Sequence, residues 1–326
     1  MRKMLCLVAL LAGIAPASAQ GFTVTTLGAR GGIEDGNLSA FLIHPTNDIN
    51  AVTCDVGALV NGIKAADEAG AFNDITVPAD SPLDRIGYVL TGTIKGYLIS
   101  HAHLDHIAGL LAASPDDSSK PIYALASVNE RIARNYFNWE AWPNFGDRGT
   151  EPQLKKYAYT DLVSGTVTPL AGTQMQVTAF PLSHSGVEST AFLIESGTDA
   201  LLCFGDTGPD AVENSGNIAA VWAAVADKVR QGQLKAIIIE VSYTNAQPDK
   251  SLFGHLTPAW LLKSLHQLDD AAGGDALKGL PIIVSHIKYS LNKGDQPQIQ
   301  ILKELNEGND LQVEFIVPEQ GMKRTF

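Results

Sequence analysis

SHAHLDHIAGLLAASP, residues 100–115, is the stretch on which the reading of this chain turns. It sets His101, His103, Asp105 and His106 within six residues, after the apolar run GYLIS (96–100) and before an apolar helical pattern. In extended backbone, residues two apart project to the same side, so His101 and His103 face one ion. The chain then turns and brings Asp105 and His106 to a second, adjacent ion. Imidazole and carboxylate donors without thiolates suit zinc, manganese or iron in an open catalytic site. A polar loop that merely caps a helix has no need of four ligand-type side chains at this spacing.

Six residues cannot close two coordination spheres, so distant segments must contribute. His184 lies in FPLSHSG, Asp206 in CFGDTG, His255 in FGHLTP and His286 in VSHIKYS. Each sits in a loop flanked by Gly, Ser or Pro after an apolar run, where a rigid strand would present it. His44, in LIHPTND, and His266, within an amphipathic helix, lack that setting and read as structural or surface residues. Asp55 follows AVTC, His101 follows GYLIS, Asp206 follows LLCFG, Glu240 follows AIII and His286 follows PIIVS. Strand ends feeding loops on one rim of a sheet are where sites gather in layered α/β folds. Because these residues come from both halves of the chain, residues 20–326 read as a single domain.

Periodicity predicts strands over 22–27, 40–44, 51–55, 96–100, 122–125, 176–182, 190–195, 200–204, 236–241, 281–285 and 312–317. Helical patterns fall at 127–137, 218–231, 258–268 and 297–305. Hairpin-like strand pairs with separate helices predict mixed sheets with helices outside rather than strict strand–helix alternation.

At the N-terminus, Arg2 and Lys3 precede an apolar run from Leu5 to Ile14 that is too short to span a bilayer. Ala17-Ser18-Ala19 then supplies small residues for a signal peptidase, so residues 1–19 read as a signal peptide cleaved before Gln20. The mature chain is expected to be periplasmic or secreted, with no membrane anchor after cleavage. Losing two positive charges moves the formal charge from −12 to −14, which disfavours nucleic-acid polymers. It does not exclude a small anionic substrate, since bound dications reverse the local field. Cys54 and Cys203, in VTCDVG and LLCFGD, read as buried strand residues, and the sequence leaves open whether they pair.

The pattern HAHLDH, a lone downstream His, an Asp in a GDT-like turn and a final His resembles the metallo-β-lactamase superfamily. That resemblance implies an αββα four-layer sandwich, two mixed β-sheets with helices on the outer faces. Within the superfamily, residues 101–115 resemble the signature of the class II cyclic-nucleotide phosphodiesterases. GGIEDGNLSAFLI (31–43), NYFNWEAWPNF (135–145), PLSHSG (181–186), EVSY (240–243), FGHLTP (253–258) and VSHIKYS (284–290) look like the same family's remaining blocks, so the likeness covers most of the mature chain.

Carried over residue by residue, the resemblance implies two divalent metal ions, zinc first, with manganese or iron as alternatives. His101, His103 and His184 would hold one ion, Asp105, His106 and His286 the other, and Asp206 would bridge them. Asp55 resembles an aspartate that fixes the tautomer of a ligating histidine or braces the loop. Glu240 and His255 resemble a dyad whose histidine faces the scissile phosphate and whose glutamate orients it; exchange of the roles of His255 and His286 stays open.

The implied reaction is hydrolysis of a 3′,5′-cyclic nucleotide, cyclic AMP favoured, to the nucleoside 5′-monophosphate by a metal-bridging hydroxide that Asp105 helps orient. Tyr136-Phe137-Asn138-Trp139 with Trp142 would either stack on a purine or pack on the core, and Asn138 and Asn144 are candidate readers of base or ribose. An exported lactonase or β-lactamase shares most of the ligand set. A tRNA-processing nuclease shares the dyad but conflicts with export and charge. A non-catalytic binding protein on the same fold should have lost ligands, and this chain keeps all seven.

Overall fold

Asp199–Phe204 is buried at every residue and Leu234–Glu240 at all but Lys235, a pattern that only strands covered on both faces tolerate. Their side chains alternate between two cores. Leu201, Cys203, Ala236 and Ile238 point into a core between two sheets, shared with Cys54, Leu98 and Ile283. Leu202, Phe204, Ile237 and Ile239 point outward onto Trp222, Leu261, Leu265 and Ile301 of the covering helices. This period-two division is what makes the molecule layered.

The computed structural model describes residues 21–326. The signal peptide expected over residues 1–19 lies outside the described residues. The first sheet has seven strands in the spatial order Lys323–Thr325, Phe22–Gly28, Ala40–Pro45, Ala51–Cys54, Ile94–Leu98, Lys120–Leu125 and Tyr157–Leu162. The second has seven in the order Glu314–Ile316, Pro281–Ser285, Leu234–Glu240, Asp199–Phe204, Val187–Ser196, Gln176–His184 and Val167–Pro169. Each begins along the chain with antiparallel pairing and then turns parallel, at Ala51–Cys54 in the first and at Asp199–Phe204 in the second. Parallel neighbours need crossovers, and helices such as Leu104–Ala113, Asn217–Arg230 and Pro258–Ala272 supply them. The two-sheet sandwich with outer helices is the architecture expected from the sequence. No helix among the described residues is long and apolar enough to cross a membrane.

The question left open for the cysteines has an answer here. Cys54 and Cys203 are disulfide-bonded, with Cα atoms 6.8 Å apart, and so tie one sheet to the other beside the parallel strand ends.

The sequence reading missed Tyr157–Leu162, Val167–Pro169, Lys323–Thr325 and the helix Val60–Glu68. Tyr157–Leu162 is an edge strand that mixes exposed Ala158 and Asp161 with buried tyrosines, so it never forms an apolar run. Val60–Glu68 carries Gly62 in its middle, which reads as a helix weakener. A Cβ there would stand 2.3 Å from the Leu27 carbonyl oxygen, so close packing onto Phe22–Gly28 requires the glycine.

Candidate metal centre

Both parallel halves end their strands at one place, and the loops leaving them carry the polar residues. His101 follows Ile94–Leu98, and His103 stands at the N-cap of Leu104–Ala113, whose first turn holds Asp105 and His106. His184 ends Gln176–His184, Asp206 follows Asp199–Phe204, Glu240 ends Leu234–Glu240, and His286 follows Pro281–Ser285. Two glycines let these segments close on one another. A Cβ on Gly205 would lie 2.2 Å from the Ser100 Cβ, and one on Gly31 would lie 2.3 Å from the His286 ring. Asp55 and His286 adopt left-handed backbone, φ 55° and 57°, an uncommon conformation that turns their side chains into the cluster.

The structure brings together every candidate ligand-type residue and the Glu240–His255 pair proposed from the sequence. His101, His103 and His184 form one group, joined by His101 Nε2 to His103 Nδ1 at 3.0 Å and His184 Nε2 to His103 Nδ1 at 3.2 Å. Asp105, His106 and His286 form a second, with His286 Nε2 3.2 Å from Asp105 Oδ2. Asp206 Oδ2 stands between them, 3.2 Å from His106 Nε2 and His286 Nε2, 3.7 Å from His184 Nε2 and 3.8 Å from His101 Nε2. His44 and His266 join none of the ligand-type groups among the described residues.

Outer hydrogen bonds decide which nitrogen of each ring faces inward. His106 Nδ1 donates to Asp55 Oδ2 at 2.7 Å. Ser100 Oγ donates to Asp55 Oδ2 at 2.8 Å, so it accepts from His101 Nδ1 at 3.0 Å. His184 Nδ1 donates to the Gly254 carbonyl at 2.8 Å. Ser242 Oγ donates to Glu240 Oε2 at 2.8 Å and accepts from His286 Nδ1 at 3.0 Å. With the outer nitrogens committed as donors, four inner Nε2 atoms face one another and the carboxylates.

Protons satisfy such a cluster badly. His106 Nε2 is buried and, although near Asp206, makes no aligned hydrogen bond. Burial and the facing His106 push the His101 imidazole well below its ordinary range. Burial acts the same way on His106, but Asp206 and Asp55 outweigh it and push that ring well above. Burial works against ionised Asp206, yet His106 and His286 hold its carboxyl well below the usual carboxylate range. Inward-facing ring nitrogens, ionised carboxylates and the orphaned His106 Nε2 form a donor set that fits divalent cations.

Beside this well, His255 Nδ1 donates to Glu240 Oε1 at 2.8 Å, and its ring stacks on His286 at 5.2 Å between centroids. Burial lowers the His255 imidazole, but the charge and hydrogen bond of Glu240 outweigh it and raise it above its ordinary range. Glu240 also accepts from the Thr207 amide at 3.0 Å. Ser100 and Ser242, each linking a carboxylate to a histidine, were missed from sequence; a hydroxyl at a strand end beside an acid was the available signal.

The aromatic segment resolves towards packing. Phe137 is fully buried, stacked on Tyr157 with centroids 5.9 Å apart. Tyr136 donates to the Ala102 carbonyl, Trp139 to the Pro152 carbonyl and Trp142 to Ser114 Oγ. The side-chain amides of Asn138 and Asn144 are likewise engaged within their own loops. Asn144 is fully buried, donating to the Arg148 and Thr150 carbonyls and accepting from the Gly146 amide. The Asn138 carbonyl oxygen accepts from the amides of Glu140 and Ala141.

Comparison with known proteins agrees with this geometry. The family described as cAMP phosphodiesterases class-II matches the chain over residues 22–321. A 3′,5′-cyclic-nucleotide phosphodiesterase of Aliivibrio fischeri is 55% identical over 311 residues, covering 95% of this chain and 94% of that relative. Among solved structures, unliganded yeast PDE1 superposes with a TM-score of 0.78 at 24% identity, over 94% of this chain and 99% of its own. The metallo-β-lactamase fold protein YhfI of Bacillus subtilis superposes with a TM-score of 0.61 at 16% identity, over 94% and 100%. The fold is therefore the metallo-β-lactamase sandwich.

Proposed function

The chain belongs to the class-II cAMP phosphodiesterases and hydrolyses 3′,5′-cyclic nucleotides; we propose that it does so with a pair of divalent cations, prefers cyclic AMP and works outside the cytoplasm. The observation that carries the paired centre is Asp206 Oδ2, which lies 3.2–3.8 Å from inner nitrogens of both histidine groups. His101, His103 and His184 would hold one cation and Asp105, His106 and His286 the other, with Asp206 shared and zinc the first candidate. Cations there supply Lewis-acid polarisation of the phosphoryl oxygens and a water nucleophile available at neutral pH.

The protein's own groups do the rest. Asp105 Oδ2, held by the Gly32 amide at 2.9 Å, accepts a hydrogen bond from the attacking water and orients it. The water oxygen, one of its protons already lost to solvent, adds to phosphorus in line with O3′, and the P–O3′ electron pair leaves on O3′. His255, kept protonated and oriented by Glu240, gives its proton to that oxygen, and a nucleoside 5′-monophosphate results. His286 is assigned to the metal because its Nε2 lies 3.2 Å from both Asp105 Oδ2 and Asp206 Oδ2, and His255, which groups with His184 and Asp206 but donates to the carboxylate of Glu240, is assigned to proton transfer. His255→Ala is expected to retain both cations and lose about 10²–10⁴-fold in kcat. Loss of a cation equivalent in that variant would transfer the ligand role to His255.

Export is supported by the leader-like start of the sequence and by the Cys54–Cys203 bond, since disulfides persist in oxidising compartments. A mature N-terminus at Gln20 in the periplasmic or extracellular fraction is the expected result. Substrate choice is tested by offering cyclic AMP, cyclic GMP, nitrocefin and a homoserine lactone side by side. Turnover of nitrocefin or lactone with both cyclic nucleotides untouched would refute the reading.

A further inference from the structure

A groove of about 980 Å³ opens beside the metal centre, a volume suited to a ligand of nucleotide size. Its walls come from Ser242–Gln247, from the segment 288–296 and from the start of helix Pro297–Glu307, with Ile33 facing them. It is continuous with the cluster through three links. Ser242, which lines the groove, accepts from His286 Nδ1. Tyr243, also in its lining, sets its ring edge-on to His255 with centroids 5.8 Å apart. Gly32, next to Ile33, donates its amide to Asp105.

Four large apolar side chains of its lining stand open to solvent: Ile33, Tyr289, Leu291 and Ile299. Of these, Ile33 (61% exposed) adjoins Gly32 in the chain and Tyr289 (55%) comes three residues after His286, so both are tethered to the cluster. Between them and the cations' ligands lies Lys288. Its Cδ and Nζ stand 3.3 and 3.9 Å from where a Cβ on Gly32 would be, so the side chain runs along the backbone that holds Asp105. In a chain of net charge −12, Lys288 forms no ion pair among the described residues. The wall behind it is preformed, because Asp295 accepts from Ser290 Oγ at 2.7 Å and from Asn292 Nδ2 at 3.1 Å.

We propose that this groove is the nucleoside subsite, in which Ile33 and Tyr289 enclose the base and Lys288 contacts the phosphoryl oxygens where groove and metal centre meet. The inference rests on the phosphodiesterase reading and names the residues that select the nucleotide part of its substrate. The Tyr289 ring offers a flat face for base stacking, Ile33 adds apolar contact area, and an unpaired ammonium at the lip of the cluster meets a phosphodiester anion. The aromatic segment 136–142, whose polar tips are committed to its own loops, is relieved of that role.

The test is calorimetric titration of the metal-loaded protein with adenosine 5′-monophosphate and, separately, with inorganic phosphate. Tyr289→Ala and Ile33→Ser, both at exposed positions, are expected to weaken nucleotide binding about tenfold while leaving phosphate binding within about twofold. Lys288→Ala should weaken both ligands, and Lys288→Arg should restore them. Circular dichroism of each variant verifies that the fold is kept. Nucleotide affinity unchanged in Tyr289→Ala and Ile33→Ser, or phosphate affinity falling in parallel, would overturn the subsite. So would an unmodified protein that binds the nucleotide no better than phosphate. Failure of the parent reading shows elsewhere, as an unmodified protein that binds nucleotide in this groove yet hydrolyses no cyclic nucleotide.

Discussion

Asp55 shows how much of the site rests on a residue that touches no substrate. Its two oxygens accept from the Ser100 amide and hydroxyl and from His106 Nδ1, at 2.7–2.8 Å. One carboxylate thereby fixes the His106 tautomer directly and the His101 tautomer through Ser100. Asp55→Ala is expected to lower cation affinity about 10–100-fold with the fold retained, as read by competition with a chromophoric chelator. Unchanged affinity would mean that the inner nitrogens need no such support. The proposed ligands were legible because histidines and aspartates after apolar runs are conspicuous. Asp55 was half-legible as a turn aspartate, and Ser100 and Ser242 were not, since a serine at a strand end has many uses. Lys288 and Tyr289 lay within VSHIKYS, but only the folded backbone shows them opening onto a groove.

Among the elements, strands that are apolar throughout were found from sequence to within a few residues, and the alternating edge strand Tyr157–Leu162 was not. Its reason for existing is a buried polar knot. Tyr157 and Tyr97 donate to Asp117 Oδ2 at 2.8 and 2.6 Å, and Lys120 Nζ reaches the other oxygen at 2.7 Å. Three neighbouring strands are thus joined at their ends. Burial, reinforced by Asp117, pushes both phenols well above the ordinary tyrosine range. Above pH ~10 the unfolded chain therefore releases phenolic protons that the native chain retains, so stability falls as pH rises. Each tyrosine contributes about 1 kcal/mol of loss between pH 10 and 11, and a Tyr97→Phe/Tyr157→Phe variant should show a flatter alkaline limb in denaturant titrations. An equally steep limb in that variant would place the alkaline sensitivity elsewhere. The helix Val60–Glu68 escaped sequence reading for the opposite reason, because Gly62 serves packing against Leu27 at the expense of helix propensity.

At the scale of the whole molecule, two sheets of similar design set their parallel strand ends side by side, and each proposed cation site draws on both. The first supplies His101, His103, Asp105 and His106, and the second supplies His184, Asp206 and His286. Strand ends carrying ligand-type residues in both halves made this convergence readable. The spatial order of the strands and the return of Lys323–Thr325 to the first sheet depend on long-range pairing that no local pattern encodes. Cys54–Cys203 locks the halves together across a sequence separation of 149 residues. Replacing both cysteines by alanine is expected to cost about 2–5 kcal/mol in chemical denaturation while leaving cation binding in place. The account as a whole depends on the two halves enclosing a pair of cations, and elemental analysis of the purified chain, resupplied with zinc or manganese and desalted, measures that directly. Two cations per chain are predicted, and a content of one or fewer would contradict the paired centre on which the proposed chemistry stands.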